Sequence, residues 1–374
     1  MRNAVIVEFL RSPFTRAGKG EFAMVRPDDI AAEVLKQIVV RSKINASDIE
    51  DIKLGCAFPE GEQGLNIARQ IAFIAKLPNT MGGVTSNRFC GSSMSTIHDA
   101  VGAIAAGAGE LFICGGVESM SRIPMGGLNP GPNAELFERY PEAYDGMGTT
   151  AENLANKYKI SRKEQDEFAV KSHQKAAKAQ AEGRLSDEIT PIGPVTKDGC
   201  IRGDSTVEKL AELKPAFDAK GSVTAATSSP LTDGAAFVVV ASEEYADKMG
   251  LKKIARIKSI AVSGCAPEIM GIGPVPSSAK ALQRAGLSLK DIDIIELNEA
   301  FAAQSLSVIK EMGADLNRIN LDGGAIALGH PLGASGARIT GKAASLLKRE
   351  GAKYALATMC IGGGQGIATV LEKI

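Results

Sequence analysis

This chain writes one pattern twice. Asp48-Ile-Glu-Asp-Ile-Lys-Leu-Gly-Cys-Ala-Phe58 aligns without gaps to Asp291-Ile-Asp-Ile-Ile-Glu-Leu-Asn-Glu-Ala-Phe301, 243 residues further on, with six identities in eleven. Gly91-Ser-Ser93 then matches Gly333-Ala-Ser335 at a spacing of 242 residues. Near-constant spacing over separated segments marks a duplicated unit, so whatever fold the chain adopts it adopts twice.

Each copy alternates strands with helices. In the first, apolar periodicity predicts a helix over Ile30–Val40, a strand at Ile52–Leu54, a helix from Asn66, a strand near Val84–Phe89, a helix from Gly91 and a strand at Leu111–Cys114. The second repeats the order with a helix at Ala279–Ala285, a strand at Ile292–Leu297, helices from Ala300 and Ser335, and strands at Tyr354–Met359 and Ile367–Leu371. That order is an α/β class with a mixed, mostly parallel layer, and two similar sheets packed through shared helices are expected. Residues 119–218 lose the rhythm: a Gly-, Pro- and Asn-rich stretch precedes two polar helices, Ala151–Tyr158 and Arg162–Glu182. The expected division is 1–118 with 219–249 as the N-terminal half, 119–218 as an inserted subdomain, and 250–374 as the C-terminal half, with Phe237–Ala241 returning to the first sheet. A linker or an independent third domain is the alternative for the middle.

Charge removes whole classes of function. The 43 Lys and Arg balance 43 Asp and Glu, which leaves no overall positive field for a nucleic-acid backbone, and aromatic residues are few, with no Trp. No apolar run approaches the ~20 residues of a membrane span. The opening Met1–Leu10 reads as a first strand and not as a signal peptide, because charges interrupt its short apolar run. Three histidines and six scattered cysteines, none paired at a metal-binding spacing, predict no metal and a reducing, cytoplasmic setting.

Four segments carry chemistry. In Ser86-Asn-Arg-Phe-Cys90-Gly-Ser-Ser93 a cysteine sits between an apolar strand and a helix of small residues, where a helix start favours a thiolate and free N–H groups can hold an oxyanion. The plain alternative is a buried small apolar residue. In Gly323-Gly-Ala-Ile-Ala-Leu-Gly-His330-Pro-Leu-Gly-Ala-Ser-Gly336 the proline keeps His330 out of helical geometry at the mouth of a helix, where its ring can take a thiol proton or simply cap or fill the core. Pseudo-twofold packing would bring the Cys90 and His330 loops to one cleft. Met359-Cys360-Ile-Gly362-Gly-Gly-Gln-Gly366 ends a strand with a second thiol before converging glycine amides, and lacks the lysine of a nucleotide loop. The matching Cys114-Gly-Gly116 is read as structural. Asn298 in Asn298-Glu-Ala-Phe-Ala-Ala-Gln304 can orient a water or cap a helix.

Taken in order, these motifs closely resemble the thiolases, from Arg11-Ser-Pro-Phe14 to the last strand. The resemblance implies a thiolase-like α/β fold: two βαβαβαββ halves packed as a layered αβαβα sandwich, with an inserted loop subdomain that covers coenzyme A. It implies a ping-pong acyl transfer with coenzyme A as co-substrate, no prosthetic group and no metal. Cys90 would be the nucleophile that becomes acylated and Cys360 the acid and base at the leaving carbon. His330 would activate Cys90 and, with a water held by Asn298, bind one thioester oxygen; the N–H groups of Cys90 and Gly362 would hold the other. For substrate binding the resemblance points to Arg202 at the adenine end, Ser229 at the pantetheine, and Met147, Met270, Ala300 and Phe301 around the pantetheine and acyl chain. As alternatives, Arg202 is a solvated charge and the methionines are core filler.

Gly146 stands where acetoacetyl-CoA thiolases of the biosynthetic kind usually have a histidine. With Thr227-Ser-Ser229 and Gln365, that brings the chain closer to degradative 3-ketoacyl-CoA thiolases of fatty-acid β-oxidation. The competing expectations are an acetyl-CoA C-acetyltransferase that condenses two acetyl-CoA and, in another class, a non-catalytic acyl-CoA or lipid-binding scaffold. The resemblance also implies a homodimer or homotetramer, and in some relatives a hydratase/dehydrogenase subunit as partner.

Overall fold

The computed structural model describes residues 2–374. Among the described residues there are ten strands: β1 Ala4–Arg11, β2 Thr15–Arg16, β3 Asp51–Gly55, β4 Gly82–Ser86, β5 Leu111–Ser119, β6 Thr232–Ser242, β7 Ala255–Gly264, β8 Ile294–Leu297, β9 Tyr354–Ile361 and β10 Gln365–Lys373. Their order is β4-β3-β5-β6-β1-β7-β10-β9-β8, with the short β2 added to β6. The arrangement is palindromic. From the centre outward, β1, β6, β5 and β3 on one side correspond to β7, β10, β9 and β8 on the other. β3 is parallel to β4 and β5, β8 is parallel to β9, and the returning strands β6 and β10 are antiparallel. The spacing of the sequence repeat reappears in the elements: β5 starts at 111 and β9 at 354, again 243 residues apart.

The two expected sheets are joined at the centre by a short antiparallel pairing of Ala4–Ile6 with Ala255–Ile257. Side-chain alternation then separates the layers. On β5, Phe112 and Cys114 face an inner core, while Leu111 and Ile113 face an outer one with helix Pro27–Ser42 and helix Ile67–Ile74. On β9, Ala355, Ala357 and Met359 face the inner core, and Leu356 the outer one with helix Pro274–Ala285 and helix Ala302–Met312. The inner core holds helix Ser92–Ala105 and helix Leu332–Arg349, so the layers run α, β, α, β, α. Small residues allow these two helices to approach closely; the backbone N–H of Ala337 donates to Ser93 Oγ at 2.9 Å. The second helix starts at Leu332, three residues before the expected Ser335, because Pro331 presets the backbone ahead of its first turn.

Between β5 and β6 the chain leaves the sheet, with helix Met147–Tyr158 and helix Arg162–Ala181 among its elements. The second begins on a reciprocal cap between Ser161 and Glu164. A buried ion-pair chain ties this excursion to both halves. Arg11 pairs with Asp198 at 2.7 Å and Glu188 at 2.8 Å, and Lys342 pairs with Glu188 at 2.8 Å and Asp322 at 2.7 Å. Among the described residues no helix is long and apolar enough to cross a membrane, and no group of three His, Cys, Asp or Glu side chains is placed to hold a metal ion.

Candidate active site

Cys90 lies in a tight turn, Phe89–Gly91, between β4 and helix Ser92–Ala105. Its neighbours are occupied in holding that turn. Phe89 takes a left-handed backbone (φ 44°), a conformation a side chain ordinarily avoids, and its N–H donates to Asn87 Oδ1 at 2.8 Å. Asn87 Nδ2 donates to the Ala57 carbonyl at 3.0 Å, and Ser92 Oγ accepts the Arg88 N–H at 2.9 Å. The backbone amides of Gly362 and of Cys90 itself favour the charged form of the Cys90 sulfur, and Phe89 of this turn lies against the Gly362 loop. The C-terminal glycine loop thus reaches the thiol of the N-terminal half.

Those donors do not make it a thiolate. Burial pushes the Cys90 thiol up to about 11, and the two N–H groups only partly oppose that. The sequence expectation of an anion held at a helix start is corrected accordingly. Loss of water around the sulfur outweighs the two amides, so at neutral pH the group is a thiol.

His330 presents a ring fixed by its neighbours. Its ring is buried between Ser335 and Asn298. Ser335 Oγ donates to the Pro331 carbonyl at 2.9 Å and so accepts the proton on His330 Nδ1 at 2.5 Å. The hydrogen-bond partners therefore assign the tautomer: Nε2 keeps its lone pair, facing Asn298 Nδ2 at 3.3 Å. Burial, helped by the charge of Arg338, pushes His330 down to about 3, which keeps the imidazole neutral. Asn298 Oδ1 is buried without a hydrogen-bond partner among the described residues, an acceptor open to a water or a donor on substrate.

Cys360, at the end of β9, is buried in a cluster with Met270, Ala300 and Phe301, and Met147 packs against the same cluster. Burial first, then the neighbouring Cys90, holds its thiol well above the ordinary cysteine value, so it stands as a protonated acid. The Ser229 N–H donates to the Ala300 carbonyl at 2.9 Å, which places Ser229 at the rim of that cluster. The five residues expected around the acyl and pantetheine path therefore lie together, beside Cys360. Arg202 lies elsewhere: it is exposed, and its backbone N–H donates to His173 Nδ1 at 3.2 Å. Cys114 is enclosed in the inner core with Phe112 and Ala236.

One cross-half device went unnoticed in the sequence. Glu118, at the end of β5, is buried and accepts the N–H of Ala57 at 2.8 Å, of Phe58 at 3.2 Å and of Gly333 at 2.8 Å, and Gln63 Nε2 at 2.9 Å. Its carboxylate clamps the loop after β3 to the helix that follows His330. Burial pushes its carboxyl up while the donors pull it back. A lone carboxylate in the apolar run Leu111–Ser119 was the available signal.

Two family models match the chain: "Thiolase, N-terminal domain" over residues 4–244 and "Thiolase, C-terminal domain" over 251–373. A 3-ketoacyl-CoA thiolase of Vibrio parahaemolyticus is 49% identical over 387 residues, covering 100% of this chain and 98% of the relative. Among solved structures, human mitochondrial 3-ketoacyl-CoA thiolase in complex with CoA aligns with a TM-score of 0.92 at 38% identity, over 100% of this chain and 98% of that one. The Bacillus anthracis acetyl-CoA acetyltransferase aligns with a TM-score of 0.91 at 39% identity, over 100% and 99%.

Proposed function

The chain belongs to the thiolase family, and from that premise we infer that it is a 3-ketoacyl-CoA thiolase, cleaving 3-ketoacyl-CoA with coenzyme A to acetyl-CoA and a shortened acyl-CoA. The observation that carries the site assignment is that the Gly362 loop of one half packs against the Cys90 turn of the other, with Phe89 Cδ2 3.7 Å from where a Cβ on Gly362 would stand.

In this mechanism the Cys90 thiol gives its proton to His330 Nε2 as its sulfur attacks the 3-keto carbon. The bond between C2 and C3 breaks, its electron pair goes to C2, and Cys360 protonates that carbon to release acetyl-CoA. Incoming coenzyme A then gives its thiol proton to Cys360. Its sulfur attacks the acyl group, and the Cys90 sulfur leaves with the proton held on His330. The developing oxyanion is served by the N–H groups of Cys90 and Gly362 in one step, and by protonated His330 with an Asn298-held water in the other. A neutral base and neutral acids at rest suit a reversible reaction, because no charge is stranded in a buried site between turnovers. Met147, Met270, Ala300, Phe301 and Ser229 would line the pantetheine and acyl path, with Arg202 at the outer, adenine end.

Incubation with acyl-CoA in the absence of free coenzyme A, followed by mass mapping, tests this. Label is expected on Cys90; label on Cys360 or Cys114 that spares Cys90, or turnover by Cys90→Ala, rejects it. The likeness to an acetyl-CoA acetyltransferase favours a second reading, condensation of acetyl-CoA. Rates on acetoacetyl-CoA against a long-chain 3-ketoacyl-CoA separate the two, and the Gly146 position argues for the longer substrate.

A role in fatty-acid β-oxidation follows from that substrate. Six free thiols fit a reducing compartment, which we take to be the cytoplasm. We read the chain as a homodimer or homotetramer: β4 is an edge strand, and Val84, Leu65, Phe73 and Ile74 are exposed on it and on the adjoining segment. Gel filtration of the purified chain decides, and the same measurement in lysate would reveal a hydratase/dehydrogenase partner as a larger species.

A further inference from the structure

Behind the histidine runs a second buried pair that the mechanism does not use. Glu296 and Asn298 stand two residues apart at the end of β8, on the same side of the strand, and Ser335 and Arg338 stand three apart on one face of helix Leu332–Arg349. Asn298 meets His330 at 3.3 Å; one step along, Glu296 Oε2 accepts Arg338 Nη1 at 3.0 Å. The Glu296–Arg338 pair joins β8 to the helix one step from the Asn298–His330 contact, which lies just beyond the strand's end and just ahead of the helix. Both charged side chains are enclosed, at 0% and 1% exposure. Yet Glu296 Oε1, Arg338 Nε, Arg338 Nη2 and Asn298 Oδ1 have no hydrogen-bond partner among the described residues. Two acceptors and two donors along one buried seam match what bridging water satisfies.

An ion pair in such a place adds little to stability, because the loss of water around both charges offsets their attraction. We propose that Arg338 and Glu296 are positioning residues for His330: bridged by water to Asn298, they hold a compensated cation behind the imidazole and so govern how readily it takes the Cys90 proton. This rests on the assignment of His330 as the base of a thiolase.

The charges around the pair set the sign. Arg338 disfavours the protonated form of His330. Burial pushes Glu296 up to about 7, against the pull of Arg338 and Lys342 on the same helix; Asp322 and Glu188 push it further up. Lys175, on helix Arg162–Ala181, and Glu299, just beyond Asn298, also act within this group. Above about pH 7 Glu296 is a carboxylate and compensates Arg338. Below it, the carboxyl is neutral and the full guanidinium charge opposes protonation of His330. Transfer of the Cys90 proton is therefore easier above that pH than below it.

The test combines single-turnover acylation across pH with histidine-selective NMR of the free protein, in which His330→Asn assigns the signal among only three histidines. In the wild type, the His330 ring shift inflects near pH 7 without the ring itself titrating there, and acylation falls through the same pH as acid is added. Glu296→Gln removes the inflection and flattens that limb, with acylation at pH 8 lowered by roughly tenfold, about one unit of His330 basicity. Arg338→Met moves the ring's own titration up toward its ordinary value. If a lone buried Glu296 prevents that variant from folding, Glu296→Gln with Arg338→Met, which leaves no unpaired charge, is expected to show the same movement. A Glu296→Gln protein that keeps both the inflection and the limb, or whose whole profile is merely scaled down, overturns the proposal. The NMR arm needs no turnover. Absence of wild-type Cys90 acylation would therefore count against the thiolase assignment, and normal acylation with unmoved signals against the pair.

Discussion

His330 Nδ1 lies 2.5 Å from Ser335 Oγ, and that hydroxyl is committed as a donor to the Pro331 carbonyl at 2.9 Å. The serine can only accept from the ring, so a residue five positions along the chain decides which nitrogen of His330 is free to act. Ser335→Ala removes the lock while leaving ring and thiol in place. It is expected to lower kcat by roughly 10- to 100-fold, part of the 10²–10⁴ that a positioned proton acceptor contributes, with about 1 kcal/mol lost in stability. A variant with wild-type kcat would show that the tautomer is held by other means.

Cys90 is a thiol at rest, which gives its alkylation a diagnostic pH dependence. With the group pushed up to about 11, the thiolate fraction grows about tenfold per pH unit through the neutral range. The rate of carbamidomethylation at Cys90 by iodoacetamide, read by mass mapping, is expected to climb from pH 7 to 9 without levelling. A plateau below pH 8 would instead mean a preformed thiolate paired with imidazolium.

Two glycines of the site separate packing from chemistry. A Cβ on Gly116 would stand 2.0 Å from the Gly333 carbonyl oxygen, where β5 meets the helix that follows His330. Gly116→Ala must force the two halves apart, and a stability loss of about 3 kcal/mol in urea unfolding is expected. A Cβ on Gly362 would meet nothing nearer than Met147 Sδ at 3.6 Å, and the N–H remains. Gly362→Ala should therefore unfold within about 1 kcal/mol of the wild type and still acylate Cys90.

His98, on the inner helix, faces Thr369 Oγ1 at 2.9 Å, and burial pushes its imidazole down to about 3 from an ordinary 6.5. The unfolded chain binds a proton there that the folded one refuses, so this residue's contribution to stability falls as pH drops below about 6.5 and continues to fall until about 3. At pH 5 the penalty is about 2 kcal/mol. His98→Gln should lose correspondingly less stability than the wild type between pH 7 and 5 in urea titrations; equal losses would place the acid sensitivity elsewhere.

How much was legible beforehand depends on the range of the interaction. The repeat of Asp48–Phe58 in Asp291–Phe301, the alternation along β5 and β9, and the small residues of the two inner helices are local patterns, and they determined the layered α/β architecture and its duplication. The motifs around Cys90, His330, Asn298 and Cys360 were equally local: Cys90, Asn298 and Cys360 stand at or just past strand ends, and His330 stands in the turn between helix Ala325–Leu328 and helix Leu332–Arg349. Tertiary structure alone decided what those groups are. Whether the Cys90 sulfur is charged, which His330 nitrogen carries the proton, and which groups Glu118 and Arg338 meet depend on dielectric and on partners that the fold brings together from the same half, as for His330 and Arg338, or from the other, as for Glu118. Burial costs a charge far more than a helix end repays, and no periodicity along the sequence records how much water a fold removes.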